Sequence, residues 1–114
     1  MLKLGRETAI YVASERVDFR KAINGLATLV LEHFEKAPQD GSVYVFYNGD
    51  YTRVKCLFWD KNGFVLYHKR LEQGRFKLKG RRESALSINQ DQLSWLLAGL
   101  DFSLMNEFSH LDYS

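Results

Sequence analysis

The residue types with chemical potential in this sequence are cationic, and they are concentrated. Between residues 53 and 82 stand ten lysines and arginines against two carboxylates, Asp60 and Glu72, a local net charge of +8 in a chain whose total is +2. Residues 1–52 sit at −1, and residues 83–114 carry five acidic side chains with no Lys or Arg. Arg53 and Lys55, and again Arg75, Lys77 and Lys79, recur at two-residue steps, which on an extended strand brings them to one face. Lys69 and Arg70 fall between these runs, and Trp59 and Tyr67 interleave with them as stacking candidates. Cations at strand spacing with rings between them suit a phosphate backbone, because the charges neutralise phosphates while aromatic faces accept bases. Two plainer readings compete: a solvated face that keeps strand edges from aggregating, and a dock for an acidic protein. Arg20 and Lys21, just after Asp18, form a second basic patch at the start of a helical pattern, the end that favours anions.

Catalytic constellations are hard to assemble from what remains. His33, His68 and His110 lie far apart, with no partner at metal-ligand spacing. Cys56, the single cysteine, sits between apolar residues of a strand and reads as buried structure. No glycine-rich phosphate loop or Gly-x-Ser-x-Gly elbow occurs, and the aspartates fall at caps and turns. The expectation is a protein that is not an enzyme and holds no cofactor or metal. One cysteine also excludes an internal disulfide and points to a reducing, cytoplasmic setting. No apolar run reaches the roughly 18 residues a membrane span needs.

These side chains need a scaffold. With 46% hydrophobic and 14% aromatic residues, 114 residues suffice for one core. Thr8–Ala13 reads as a strand. From Phe19 the apolar residues Ala22, Ile23, Leu26, Ala27, Val30 and Phe34 recur at steps of three and four, predicting an amphipathic helix of about 17 residues with Asp18 as its N-cap. Gly25, inside that helix, suggests a close approach of sheet backbone. Ser42–Tyr47, almost wholly apolar, predicts a strand buried on both faces. Thr52–Trp59, Phe64–Leu71 and Arg75–Lys79 predict three further strands, Ala85–Ile88 a short one, and Asn89 with Gln92 a capping box opening a helix striped by Leu93, Leu96, Leu97 and Leu100. If Asp60–Gly63 is a type I turn with a bulge, Trp59 opposes Val65, Leu57 opposes Tyr67 and Lys55 opposes Lys69. Two facing lysines cost a few tenths of a kcal/mol unless an anion lies between them. The predicted architecture is α+β, a mostly antiparallel β-meander with two helices packed on one face, in the order β-α-β-β-β-β-(β)-α. Residues 1–102 form the single domain and 103–114 a C-terminal tail.

Several segments carry a family resemblance. Val17-Asp18-Phe19-Arg20-Lys21, Gly25-Leu26, Val43–Phe46, Val54–Asp60, Asn62-Gly63, Lys69–Phe76 and Gln92–Asp101 occur in order over most of the chain. Together they resemble the TnpB-type accessory proteins of the insertion-sequence-sixty-six group of bacterial transposable elements. Lys-Arg-Leu-Glu-x-Gly-Arg-Phe following Trp-Asp-x-x-Gly is the most specific part. Where that family commonly continues with a Trp-Pro-like segment, this chain has Lys77-Leu78-Lys79-Gly80.

The resemblance implies a non-catalytic role in transposition, a mobile-element recombination of DNA, beside a separate transposase that carries the strand-transfer carboxylates. It supplies no catalytic residues. The basic sheet makes DNA an expected partner and the resemblance adds that transposase; self-association to a homo-oligomer through an exposed sheet edge is a variant, and no membrane is expected. Arg53, Lys55, Lys69, Arg70, Arg75, Lys77 and Lys79, with Arg20 and Lys21, are the candidate phosphate contacts. The alternative is a protein–protein adaptor that docks on the transposase without touching DNA.

Overall fold

In the computed structural model, residues 4–5, 7–78, 82–102 and 104 are described. Strand β1 (Ile10–Val12) leads through helix α1 (Ile23–Leu29), which widens into a π-helical stretch (Val30–Phe34), to strand β2 (Val43–Tyr47). Strands β3 (Arg53–Asp60) and β4 (Gly63–Arg70) follow as a hairpin, then the short β5 (Leu86–Ile88) and helix α2 (Gln90–Leu97). The five strands form one sheet in the order β4-β3-β2-β1-β5. β1 and β2 run parallel, as a strand–helix–strand crossover requires, and every other pair is antiparallel. The α+β class and mostly antiparallel sheet expected from the sequence are what the chain forms.

β2 is the centre of the molecule. All five of its residues are completely buried, which needs cover on both faces. The cover comes from opposite sides. Phe34 meets Tyr44 and Phe46 edge-on, at 5.1 and 5.7 Å between ring centroids, so α1 and its π-helical extension lie on the face bearing the even-numbered side chains of β2. On the other face Lys69 of β4 reaches the carbonyl of Leu97 in α2. The expectation that both helices share one face is thus corrected: the sheet is the middle of three layers.

The hairpin register also differs from expectation. β3 and β4 are joined by only two residues, Lys61 and Asn62, and pair without interruption from Asp60↔Gly63 to Arg53↔Arg70. The left-handed backbone falls on Lys61, at φ +53°, and not on Gly63, which is already in the strand. This two-residue loop suits the strands' twist better than the longer bulged turn inferred from Asp60 and Gly63. It shifts the pairing by one residue, and every side-chain partnership of the hairpin changes face with it.

Two further elements differ. Asp18 does not cap α1. Its carboxylate accepts from the Arg20 amide at 2.9 Å, its carbonyl accepts from the Lys21 amide at 3.1 Å, and the helix begins only at Ile23 after an uncapped Ala22. The 75–78 segment is extended but joins no ladder: Phe76 donates to the Tyr51 carbonyl, and Leu78 then bends back to the carbonyl of Phe76. Its alternation is real, since Phe76 and Leu78 are buried while Arg75 and Lys77 are exposed, but it reflects a chain lying against the core. The capping box of α2 forms as expected, with Gln92 N–H donating to the Asn89 side chain and Asn89 N–H to the Gln92 side chain. The space beside Gly25 is filled by the Lys21 stem, 3.1 Å from where a Cβ would stand, and not by sheet backbone. Apart from Leu104, the tail expected over 103–114 lies outside the described residues.

Candidate nucleic-acid interface

The register decides which cations can act together. Arg53 faces Arg70, and Lys55 faces His68, on the α1 side of the sheet. Lys69 faces Val54 on the α2 side, so the expected Lys55–Lys69 pair is split between the two faces. Trp59 and Tyr67 are separated in the same way. Trp59 packs edge-on against Phe64 at 5.0 Å near the hairpin tip, while Tyr67 lies beside Cys56.

Lys55 is no surface cation. Only 7% of it is exposed, and its ammonium donates to the carbonyls of Phe19 and Lys21 at 3.0 and 2.9 Å. The same Nζ lies 4.7 Å from the centre of the Phe19 ring. Burial pulls its pKa down, and the nearby Arg53 adds to the effect. Its structural effect is to tie the 18–21 turn to the sheet across 36 residues of sequence. The turn that carries Arg20 and Lys21 is thereby held against the hairpin, with Phe19 edge-on to His68.

Arg53, Arg70 and His68 stand together at the sheet end, and the turn that bears Arg20 and Lys21 adjoins them through the Phe19–His68 contact. Arg53, His68, Arg70 and Glu72 line one shallow depression. His68 stands edge-on to Phe19, and its pKa is lowered by partial burial and then by Lys55, Arg53 and Arg70. Sequence reasoning weighed His68 only as a metal ligand. Its even numbering, shared with Arg70 on β4, was the available signal. Two carboxylates temper the cluster: Asp18 pairs with Arg20 at 2.7 Å, and Glu72 with Arg70 at 2.8 Å. The bonds from the Arg20 side chain and backbone N–H hold the Asp18 carboxyl at about 2. Both pairs are solvent-exposed and therefore weak, within reach of exchange for a phosphate.

The remaining candidates lie elsewhere. Lys69 donates to the Leu97 carbonyl at 2.7 Å, occupying the C-terminal end of α2, where a positive charge is favoured. It lines, with Tyr67, Leu4, Leu93 and Leu97, a cavity of about 380 Å³ between β4 and α2. Arg75 and Lys77 are exposed on the segment after β4, and Lys79 lies outside the described residues. Cys56 is buried, its thiol pushed up to about 12 by loss of solvent. Among the described residues no three His, Cys, Asp or Glu side chains gather to hold a metal ion, and no helix is long and apolar enough to cross a membrane.

The chain so built, a small α+β layer structure with a basic sheet end, has identifiable kin. The family described as IS66 Orf2 like protein matches residues 8–107, and the chain belongs to that family. This gives it an accessory role associated with an insertion sequence. It is similar to the uncharacterized protein y4jC of Sinorhizobium fredii (strain NBRC 101917 / NGR234), 36% identical over 103 residues covering 90% of this chain and 88% of the relative. It is also similar to the uncharacterized protein y4hO of the same strain, 33% identical over 102 residues covering 90% and 89%. No solved structure matches it.

Proposed function

We propose that this protein is a non-catalytic accessory factor for transposition that binds DNA through the wet end of the β3–β4 hairpin and the adjoining 18–21 turn. The observation that carries the reading is the meeting of Arg53, Arg70 and His68 with the turn that Lys55 anchors. Arg53, Arg70, Arg20 and Lys21 are the phosphate contacts. Lys55 positions the turn and touches no phosphate itself. Arg75 and Lys77 extend the contact along the backbone, whereas Lys69 and Tyr67, on the α2 side, take no part. Trp59, at the hairpin tip, is the remaining stacking ring. Backbone contacts of this kind give affinity with little sequence preference, which suits a factor that helps a separate transposase assemble on DNA.

The test is duplex binding measured across a salt series. Six phosphate contacts, Arg75 and Lys77 included, give a log–log slope of about −5. Arg53→Ala with Arg70→Ala should flatten that slope by about two, while Lys69→Ala should leave it unchanged. Binding that ignores salt, or that survives loss of both arginines, rejects DNA contact at this site. Capture of the transposase that persists after nuclease treatment and depends on the same arginines assigns the cluster to a protein partner instead.

A further inference from the structure

β4 is an edge strand, eight residues long, without proline or bulge. Edges of that length are usually blunted by a proline, a bulge or an outward lysine. Here Lys69 is turned onto α2, neither proline nor bulge is present, and the exposed charge at the edge is Arg70, confined to its last residue.

Which backbone groups stand open follows from the ladder. Leu71 N–H donates to the Thr52 carbonyl, so the odd-numbered residues of β4 are the ones bonded to β3. The N–H and C=O groups of Phe64, Leu66, His68 and Arg70 therefore point outward, and among the described residues no hydrogen bond reaches them.

We propose that this edge pairs antiparallel with β4 of a second copy of the chain, with Tyr67 on the twofold axis. The edge is self-complementary in this register, which three facts fix. A twofold axis normal to the sheet keeps the faces of the two copies aligned, so only same-parity residues oppose each other. With Tyr67 central, Phe64 pairs with Arg70 of the second copy and Leu66 with its His68. That uses all four outward residues, giving four hydrogen-bonded pairs of two bonds each, eight in all. Centring on Leu66 or His68 yields only three such pairs within the strand.

The third fact is charge. β4 is apolar from Phe64 to Leu66 and basic from His68 to Arg70. The Tyr67-centred register lays each basic half against the apolar half of the other copy, sets an arginine beside Phe64 and opposes no two cations. It also brings both α1 faces to one side of a continuous ten-stranded sheet. The pairing does not depend on whether that side binds DNA.

The test is sedimentation of the full chain over a concentration series, without nucleic acid. The wild type should dimerise. His68→Pro removes an outward N–H at a position where an edge strand tolerates proline, and should give monomer. Val65, 38% exposed, opposes Lys69 of the second copy in this register. Val65→Lys should weaken the dimer tenfold or more, while Val65→Glu, matched in position but opposite in charge, should keep it. Because Val65 is exposed, this pair decides the matter even if His68→Pro fails to fold. A monomeric wild type overturns the proposal, as does a dimer indifferent to Val65→Lys. So does a monomer whose edge variants lose capture of the transposase, which would give the edge to that protein.

Discussion

Lys55 lies directly across the β3–β4 ladder from His68, and after partial burial its ammonium is the first of the charges that lower the imidazole's pKa. The pair couples a structural cation to a titratable one at the open end of the hairpin. The folded chain takes up a proton at His68 at lower pH than the unfolded chain, whose ordinary value is 6.5. Stability from this group is complete above 6.5 and declines as pH falls through 6.5 towards the folded value. His68→Asn should remove that part of the slope in denaturation curves recorded at successive pH values. A bound phosphate works in the opposite sense by favouring the imidazolium, so duplex binding should tighten and take up a proton over the same interval. Calorimetry in buffers of different ionisation enthalpy reads that uptake, and His68→Asn should abolish it.

Lys55→Met keeps the aliphatic stem and deletes the two bonds to Phe19 and Lys21. A charged hydrogen bond contributes about 1.5–3 kcal/mol, so the loss should lie at or above that range for the pair, offset in part by easier burial of the thioether. Urea denaturation gives the figure. Hydrogen exchange should show faster opening around residues 18–22, with little change in α2.

Lys69→Met should cost about 1–2 kcal/mol by freeing the Leu97 carbonyl at the end of α2. The salt slope of duplex binding should not move. A fall in that slope would mean that the α2 face also contacts DNA.

Lys61 is an L-residue in the left-handed region at the hairpin tip. Lys61→Gly relieves that conformation and should stabilise the fold by up to about 1 kcal/mol, read as a higher thermal midpoint with unchanged secondary structure. At the other end of the chain, Asn89→Ala breaks the capping box and should cost about 1 kcal/mol, with early exchange confined to the first turn of α2.

What could be read in the sequence was whatever depends on near neighbours. The apolar run Ser42–Tyr47 announced a central strand, the three-and-four spacing from Phe19 to Phe34 announced a helix whose first turn the chain does not form, since α1 begins at Ile23, and Asn89 with Gln92 announced the start of α2. The hairpin register was not legible, because Asp60 and Gly63 fit two turn lengths and only the twist of the assembled strands favours the shorter. That one-residue difference moved Lys69 away from Lys55 and brought His68 into the site. Nor could spacing reveal that Lys55 would reach Phe19, or that Lys69 would reach Leu97, since both contacts are set by layers closing over the sheet. The Arg75–Leu78 alternation read as a strand because burial every second residue looks the same whether or not a neighbouring strand is there to bond.

The three-layer build has a consequence for how this protein can meet anything else. A helix lies on each broad side, and the sheet stays partly open towards the β3–β4 flank, where no residue of β4 is fully buried. Most of the perimeter on that flank belongs to a single hairpin, whose tip, outer strand and basic mouth are successive stretches of the same short piece of chain. Insertions or fusions at the Lys61–Asn62 tip would therefore disturb every contact the flank offers at once, whereas labels for binding studies are safest on the opposite rim, near Glu83 and Ser84.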